Sequence, residues 1–273
     1  MHPEQAIDDL GSGTPLVLLH SSMSSKSQWR KLAEQLAGRY RTLAIDLYGY
    51  GEAEYPATPE QFTLTQETDR IETIIRQSIG DQPFHLIGHS YGGATALRYA
   101  YAHQSNILTL GLYEPVAFHL LEPNEPAYQI IREVAERVAE YLNQGDIAAA
   151  AGHFIDFWSS PGTYLGLPAE RQRILEHYIP KVSLDFQAIL RESVKAADYR
   201  TLKLPICMLR SQESPLPTRR VAEVLENTLP RLECHWVPGG HMAPITHAEI
   251  VNLHWIRFIQ QPHHTVPQAH EPR

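Results

Sequence analysis

The chain has 273 residues, 43% hydrophobic and 20% charged, enough for one globular domain with an insertion or for two small domains. A formal net charge of −8 argues against nucleic-acid and anionic-membrane partners, so neither is expected. No apolar run reaches transmembrane length, and "MHPEQAIDDL" lacks the basic and apolar regions of a signal peptide.

Through residue 113 short apolar runs alternate with helical patterns. "PLVLLH" (15–20) reads as a buried strand, "QWRKLAEQLA" (28–37) as a helix and "YRTLAID" (40–46) as a second strand. After a loop, residues 65–78 place Ile71, Ile74 and Ile75 on one helical face. "FHLIG" (84–88) is a third strand, 91–103 a helix and "ILTLGLY" (107–113) a fourth strand. Such alternation requires crossover connections, hence a mostly parallel sheet flanked by helices, an α/β fold. From about 118 to 200 the pattern is wholly helical. Segments 128–142 and 146–158 are followed by stretches near 168–179 and 181–198, each after a proline, Pro168 and Pro180. "PICMLR" (205–210), a helix at 218–227, "LECHWV" (232–237) and a helix at 247–260 resume the α/β rhythm. The expected organisation is a core of 1–117 and 201–262, a helical cap at 118–200 over one end of the sheet, and a disordered tail at 263–273. Cys207 and Cys234 lie in apolar segments, which suits free thiols and a cytoplasmic location better than a disulfide.

The chemistry concentrates at "GHSYGG" (88–93), a G-x-S-x-G stretch with a strand before it and a helix after it. The glycines permit a sharp turn that leaves the Ser90 hydroxyl exposed at the carboxyl end of the sheet, where open α/β sheets bind ligands. A serine nucleophile needs a base. Among fifteen histidines, His241 stands apart, in the Gly-rich loop "VPGGHMAP" between the last strand and the last helix.

Together these stretches resemble the α/β-hydrolase superfamily, over about residues 10–260. "LLHSSMSSKSQW" is similar to its oxyanion loop, "DLYGYGEAEYP" to its "D-x-x-G-x-G" strand end, "GHSYGG" to its nucleophile elbow and "PGGHMAP" to its histidine loop. The resemblance implies a serine hydrolase with an inserted lid at 118–200, using Ser90 and His241. It also implies backbone oxyanion donors from Ser22 and Tyr91, or Met23 if the loop is shifted. The chain departs from the family pattern in three places. Only "AIDDLG" precedes the Gly13 turn, which implies one edge strand fewer than the usual eight. His20-Ser21 stands where His-Gly is commoner. At the usual acid position, in "LRSQESPLP" (209–217), stands Ser214, with Glu213 one residue early. The acid is then either Glu213 or Glu114 in "LYEPVAF", at a strand end used by haloalkane dehalogenase-like members. Strand ends are better fixed than loops, which favours Glu114.

The expected activity is hydrolysis of a carboxylic ester-type bond in a small to medium apolar substrate, through an acyl-enzyme, with no cofactor and no metal. Aspartate at position 90 would instead have pointed to dehalogenase or epoxide-hydrolase chemistry. A thioester, a lactone or a C–C bond would use the same groups, and a ligand-binding or lyase member of the fold is a further alternative. Among the aromatic residues at 154–164, Trp158 and Phe157 are expected in the substrate pocket. His20, His85 and His89 flank the site and read as structural. The oligomeric state is open.

Overall fold

The structure, a computed structural model, describes residues 3–262; the tail expected at 263–273 lies outside the described residues. In chain order, β1 (Ile7–Gly11) and β2 (Thr14–Leu19) lead into α1 (Arg30–Leu36) and β3 (Tyr40–Ile45). α2 (Leu64–Ile79), β4 (Phe84–His89), α3 (Tyr91–His103) and β5 (Ile107–Tyr113) follow. Three helices come next: α4 (Pro126–Asn143), α5 (Ile147–Trp158) and α6 (Ala169–Leu190). β6 (Ile206–Arg210), α7 (Leu216–Glu226), β7 (Leu232–Trp236), α8 (Ala243–Thr246) and α9 (Ala248–Gln260) complete the described chain.

The strands form one sheet in the order β1-β3-β2-β4-β5-β6-β7, parallel except for β1, which pairs antiparallel with β3. β2, β4 and β5 are buried along almost their whole length because both sheet faces are covered. Their alternation decides which layer each residue joins: Val17, Leu19, Leu86, Leu110 and Leu112 pack on one side with Ile71, Ile75 and Leu97. Leu16, Leu18, Ile87 and Tyr113 pack on the other with Leu32, Leu36, Val251 and Trp255 of α1 and α9. β1 and β7 are the two edges; Asp8 and Asp9 put charge on β1, which discourages strand addition from another chain there.

The register brings the carboxyl ends of the central strands into a row. His89 pairs with Tyr113, Tyr113 with Leu209 and Arg210 with Trp236, so the residues that follow each strand emerge side by side. α4, α5 and α6 are inserted between β5 and β6 and pack on one another. Ion pairs tie this block to core helices, among them Arg220 Nε to Glu125 at 2.6 Å, Arg98 Nε to Glu192 at 3.2 Å and Lys181 Nζ to Glu67 at 3.8 Å.

The break expected at Pro180 is absent. α6 runs through it as one helix, although proline removes a backbone donor and crowds the preceding turn, at about 3 kcal/mol. Leu175, Ile179, Val182, Phe186 and Ile189 form one continuous buried stripe across the proline, and its burial outweighs that local cost. After Leu190 the chain leaves the helix, so the second helix expected over 181–198 ends eight residues early. Cys207 and Cys234 are both free thiols, the first buried and the second half-buried. Among the described residues no helix is long and apolar enough to cross a membrane.

Candidate active site

Ser90 occupies the turn between β4 and α3 with φ 57° and ψ −117°, a backbone region that residues with a side chain rarely adopt. The turn is held from both sides: Ser90 N–H donates to Tyr113 O at 3.0 Å, and Val116 N–H donates to Ser90 O at 3.2 Å. The glycines are sterically required. A Cβ on Gly88 would run into the Gly92 carbonyl, and one on Gly92 into the carbonyls of Leu19 and His20. The chain therefore reverses tightly against β2 and points the serine side chain away from the sheet.

His241 approaches from the loop after β7, where Gly239 and Gly240 adopt φ 96° and 64°. Its Nε2 lies 2.9 Å from Ser90 Oγ, and its Nδ1 lies 2.8 Å from Glu114 Oε2. A carboxylate only accepts, so Nδ1 carries the ring proton and Nε2 is free to accept the serine O–H. Glu114 directly follows β5 with φ 38°, and its Oε1 accepts from Ser211 N–H at 2.7 Å. Ser90, His241 and Glu114 are all buried, at 7%, 3% and 1% exposure, so their mutual bonds are shielded from competing water. Further contacts fix the histidine loop: Tyr113 O–H donates to Gly240 O at 2.7 Å, Gly240 N–H to Ser211 Oγ at 3.2 Å, and His89 Nε2 to His241 O at 2.9 Å. Burial holds His89 neutral, its pKa well below the ordinary histidine value, with the nearby His241 pressing the same way. His20 is lowered to about 4, chiefly by burial. It donates from Nδ1 to Ser21 O and accepts Leu47 N–H at Nε2, which pins the loop after β2 to the end of β3.

Two cavities border Ser90. The larger, about 200 Å³, runs between the loop after β2 and the helical insertion, walled by Met23, Phe154, Trp158, Leu175, His241 and Ile245. The smaller, about 20 Å³, has Val116, Phe118, Phe186, Ile189 and Asp185 on its walls. Ser22, Ser90, Phe154 and Trp158 border both. The Trp158 ring lies over His241, with centroids 4.3 Å apart.

A model of the family described as alpha/beta hydrolase fold matches residues 14–248. The chain belongs to the α/β-hydrolase fold family. The probable lysophospholipase BODYGUARD 2 of Arabidopsis thaliana is 28% identical over 139 residues, 49% of this chain and 29% of that protein. A fluoroacetate dehalogenase of Burkholderia sp is 31% identical over 133 residues, 47% of this chain and 40% of that protein. The matched stretches thus span under half the length of these curated relatives. Among solved structures, an alpha/beta hydrolase enzyme from a Medee basin deep-sea metagenome library superposes with a TM-score of 0.79 at 18% identity. That likeness covers 96% of both chains and shows the shared fold.

Of the α/β-hydrolase site residues expected from sequence, Ser90, His241 and Glu114 come together in one hydrogen-bonded line. Glu213 does not reach His241: it is exposed, and its Oε1 accepts from Gly239 N–H at 3.3 Å, bracing the loop instead. Ser214 is buried, and its hydroxyl has no hydrogen-bond partner among the described residues. Ser22 lies in the loop after β2 and Tyr91 is the first residue of α3; neither backbone N–H has an acceptor among the described residues. Met23 follows Ser22 with φ 59°. Trp158 borders both cavities, whereas Phe157 sits behind it, edge-on with centroids 4.9 Å apart, and Phe154 takes the wall position. Sequence reading also missed Lys181 and Asp185, buried on α6 close to the site. Two charges one turn apart on the buried side of an amphipathic helix were the available signal.

Proposed function

We propose that the protein is a serine hydrolase cleaving a carboxylic ester-type bond of a small to medium apolar substrate through an acyl-enzyme on Ser90. The observation that carries the reading is the unbroken line Ser90 Oγ, His241, Glu114, with spacings of 2.9 and 2.8 Å, beside two cavities. In this mechanism His241 Nε2 takes the Ser90 proton as Oγ attacks the substrate carbonyl, and Glu114 stabilises the resulting imidazolium. The free N–H groups of Ser22 and Tyr91 receive the oxyanion, Tyr91 with the added field of the α3 N-terminus. His241 then protonates the leaving alcohol and activates a water that releases the acid. Residues 118–200 serve as the cap, and the core comprises 1–117 and 201–262. The small cavity takes the acyl group and the large one the leaving group.

A serine at position 90, where dehalogenase or epoxide-hydrolase chemistry would use aspartate, favours this reading over an alkyl-enzyme. Treatment with a fluorophosphonate, followed by intact and peptide mass measurement, tests it. The expected result is one adduct on the Ser90 peptide that is absent from Ser90→Ala, together with turnover of p-nitrophenyl esters. A folded protein with no adduct and no ester turnover would overturn it.

A further inference from the structure

Lys181 is a cation withdrawn from water, its side chain only 1% exposed. It projects from α6 and donates to Asp185 Oδ1 one turn further along the helix. It also lies 3.8 Å from Glu67 Oε2 on α2, and its ammonium is 4.9, 4.6 and 4.7 Å from the ring centroids of Tyr50, Phe62 and Tyr91. The two carboxylates around it reach in different directions. Asp185 Oδ2 accepts from Ser22 Oγ at 2.6 Å and from Tyr50 O–H at 2.5 Å. Glu67 Oε2 accepts from Tyr91 O–H at 3.0 Å, and its Oε1 accepts from Tyr48 N–H at 3.0 Å.

Ser22 and Tyr91 therefore share one anchor. They come from different elements, the loop after β2 and the start of α3, yet the side chain of each ends on a carboxylate facing the same ammonium. A buried charge cluster is a poor device for stability alone, since well-packed apolar side chains would serve as well or better. Apolar groups could not accept the two hydroxyls or fix the distance between the residues that carry them. The backbone donors assigned to the oxyanion belong to these same two residues.

We propose that Lys181, acting through Asp185 and Glu67, is a positioning residue for the oxyanion hole, so that the helical insertion sets the catalytic geometry as well as covering the substrate. This rests on the serine-hydrolase reading given above. Oxyanion stabilisation acts in the transition state, so its loss lowers kcat and leaves KM nearly unchanged. Removing one such donor outright costs about 10²–10³ in kcat, and displacing two by part of an ångström falls in the lower part of that range.

The test is turnover of p-nitrophenyl acetate, with kcat expressed per fluorophosphonate-titrated site so that misfolded molecules do not count. For Lys181→Met the expected result is a kcat per site lower by about 10²-fold, KM within about threefold of wild type, and partial recovery in Lys181→Arg. Because Lys181→Met leaves two buried carboxylates without their cation, it can fail to fold. The double variant Ser22→Ala/Tyr91→Phe therefore cuts the same tethers while keeping the Lys181–Asp185 pair, and a similar selective loss of kcat is expected. A labelled, active wild type beside a double variant with unchanged kcat per site overturns this inference alone. So does Lys181→Met that loses only thermal stability. A wild type with neither adduct nor turnover overturns the serine-hydrolase reading, and the positioning role with it.

Discussion

Glu114→Gln is an informative substitution because the structure dictates how the new amide must turn. Glu114 offers one oxygen to Ser211 N–H at 2.7 Å and the other to His241 Nδ1 at 2.8 Å. A backbone N–H can only donate, so the glutamine oxygen must face Ser211 and its NH2 group must face His241. Nδ1 is then forced to accept, the ring proton moves to Nε2, and the imidazole can no longer take the Ser90 proton. In a Ser-His-Asp triad the equivalent carboxylate-to-amide change costs about 10⁴ in kcat, or about 5 kcal/mol at 1.36 kcal/mol per tenfold. The side chain keeps its volume and a bond to Ser211, so the fold should persist. The assay is kcat on p-nitrophenyl acetate at neutral pH, with a thermal melt as control. Glu213→Gln serves as comparator; that carboxylate is exposed and accepts one hydrogen bond among the described residues, from Gly239 N–H, so a change within about threefold is expected. If Glu114→Gln stays within tenfold of wild type, or if only Glu213→Gln collapses, Glu114 is not the acid.

Ser90→Gly and Ser90→Ala both remove the hydroxyl, but only glycine relieves the φ of 57°. Ser90→Gly should be the more stable of the two by about 1 kcal/mol in urea titration, and equal stabilities would show that the turn carries no strain. Phe186→Ala opens the wall of the 20 Å³ cavity, so the preferred acyl chain of p-nitrophenyl esters should lengthen beyond acetate and propionate. An unchanged chain-length profile would place the acyl group in the larger cavity instead. His20 and His119 are each lowered from 6.5 to about 4 by burial, and His89 is held well below 6.5 for the same cause. The unfolded chain therefore binds protons near pH 6.5 that the native state refuses, and stability present above that pH is lost as pH falls toward 4. The urea midpoint should drop across this window, and a flat midpoint would mean that these imidazoles are protonated without unfolding.

Features that depend on local chemistry were legible in the sequence. The strands from β2 onward and the glycine pattern around Ser90 follow from apolar runs and from which residues tolerate a tight turn, whereas β1 (Ile7–Gly11), a short edge strand with two aspartates, carried no such run. The ambiguity between Glu114 and Glu213 was of another kind. Both flank the β5–β6 pair, and only the register, Tyr113 against Leu209, shows that Glu114 emerges beside Ser211 and under His241. The misplaced helix break at Pro180 shows a local penalty overridden by a stripe whose burial depends on the rest of the molecule. Phe157 was expected at the pocket wall where Phe154 stands, because the rotation of α5 decides between them and the helical period alone cannot set that rotation.

Among the described residues only Met23, Ser90 and Glu114 carry a side chain at positive φ, and all three sit at the site. Such backbones cost of order 1–3 kcal/mol each and persist only where their surroundings over-determine them. Here the over-determination comes from the sheet. Ser90 directly follows β4 and Glu114 directly follows β5, and the last residues of those strands, His89 and Tyr113, are paired. Each strand is buried on both faces, so neither end can relax without disturbing the centre of the core. The strain is therefore borne where the fold is stiffest. That position lets a serine and a carboxylate from separate strands meet one imidazole with both spacings below 3 Å.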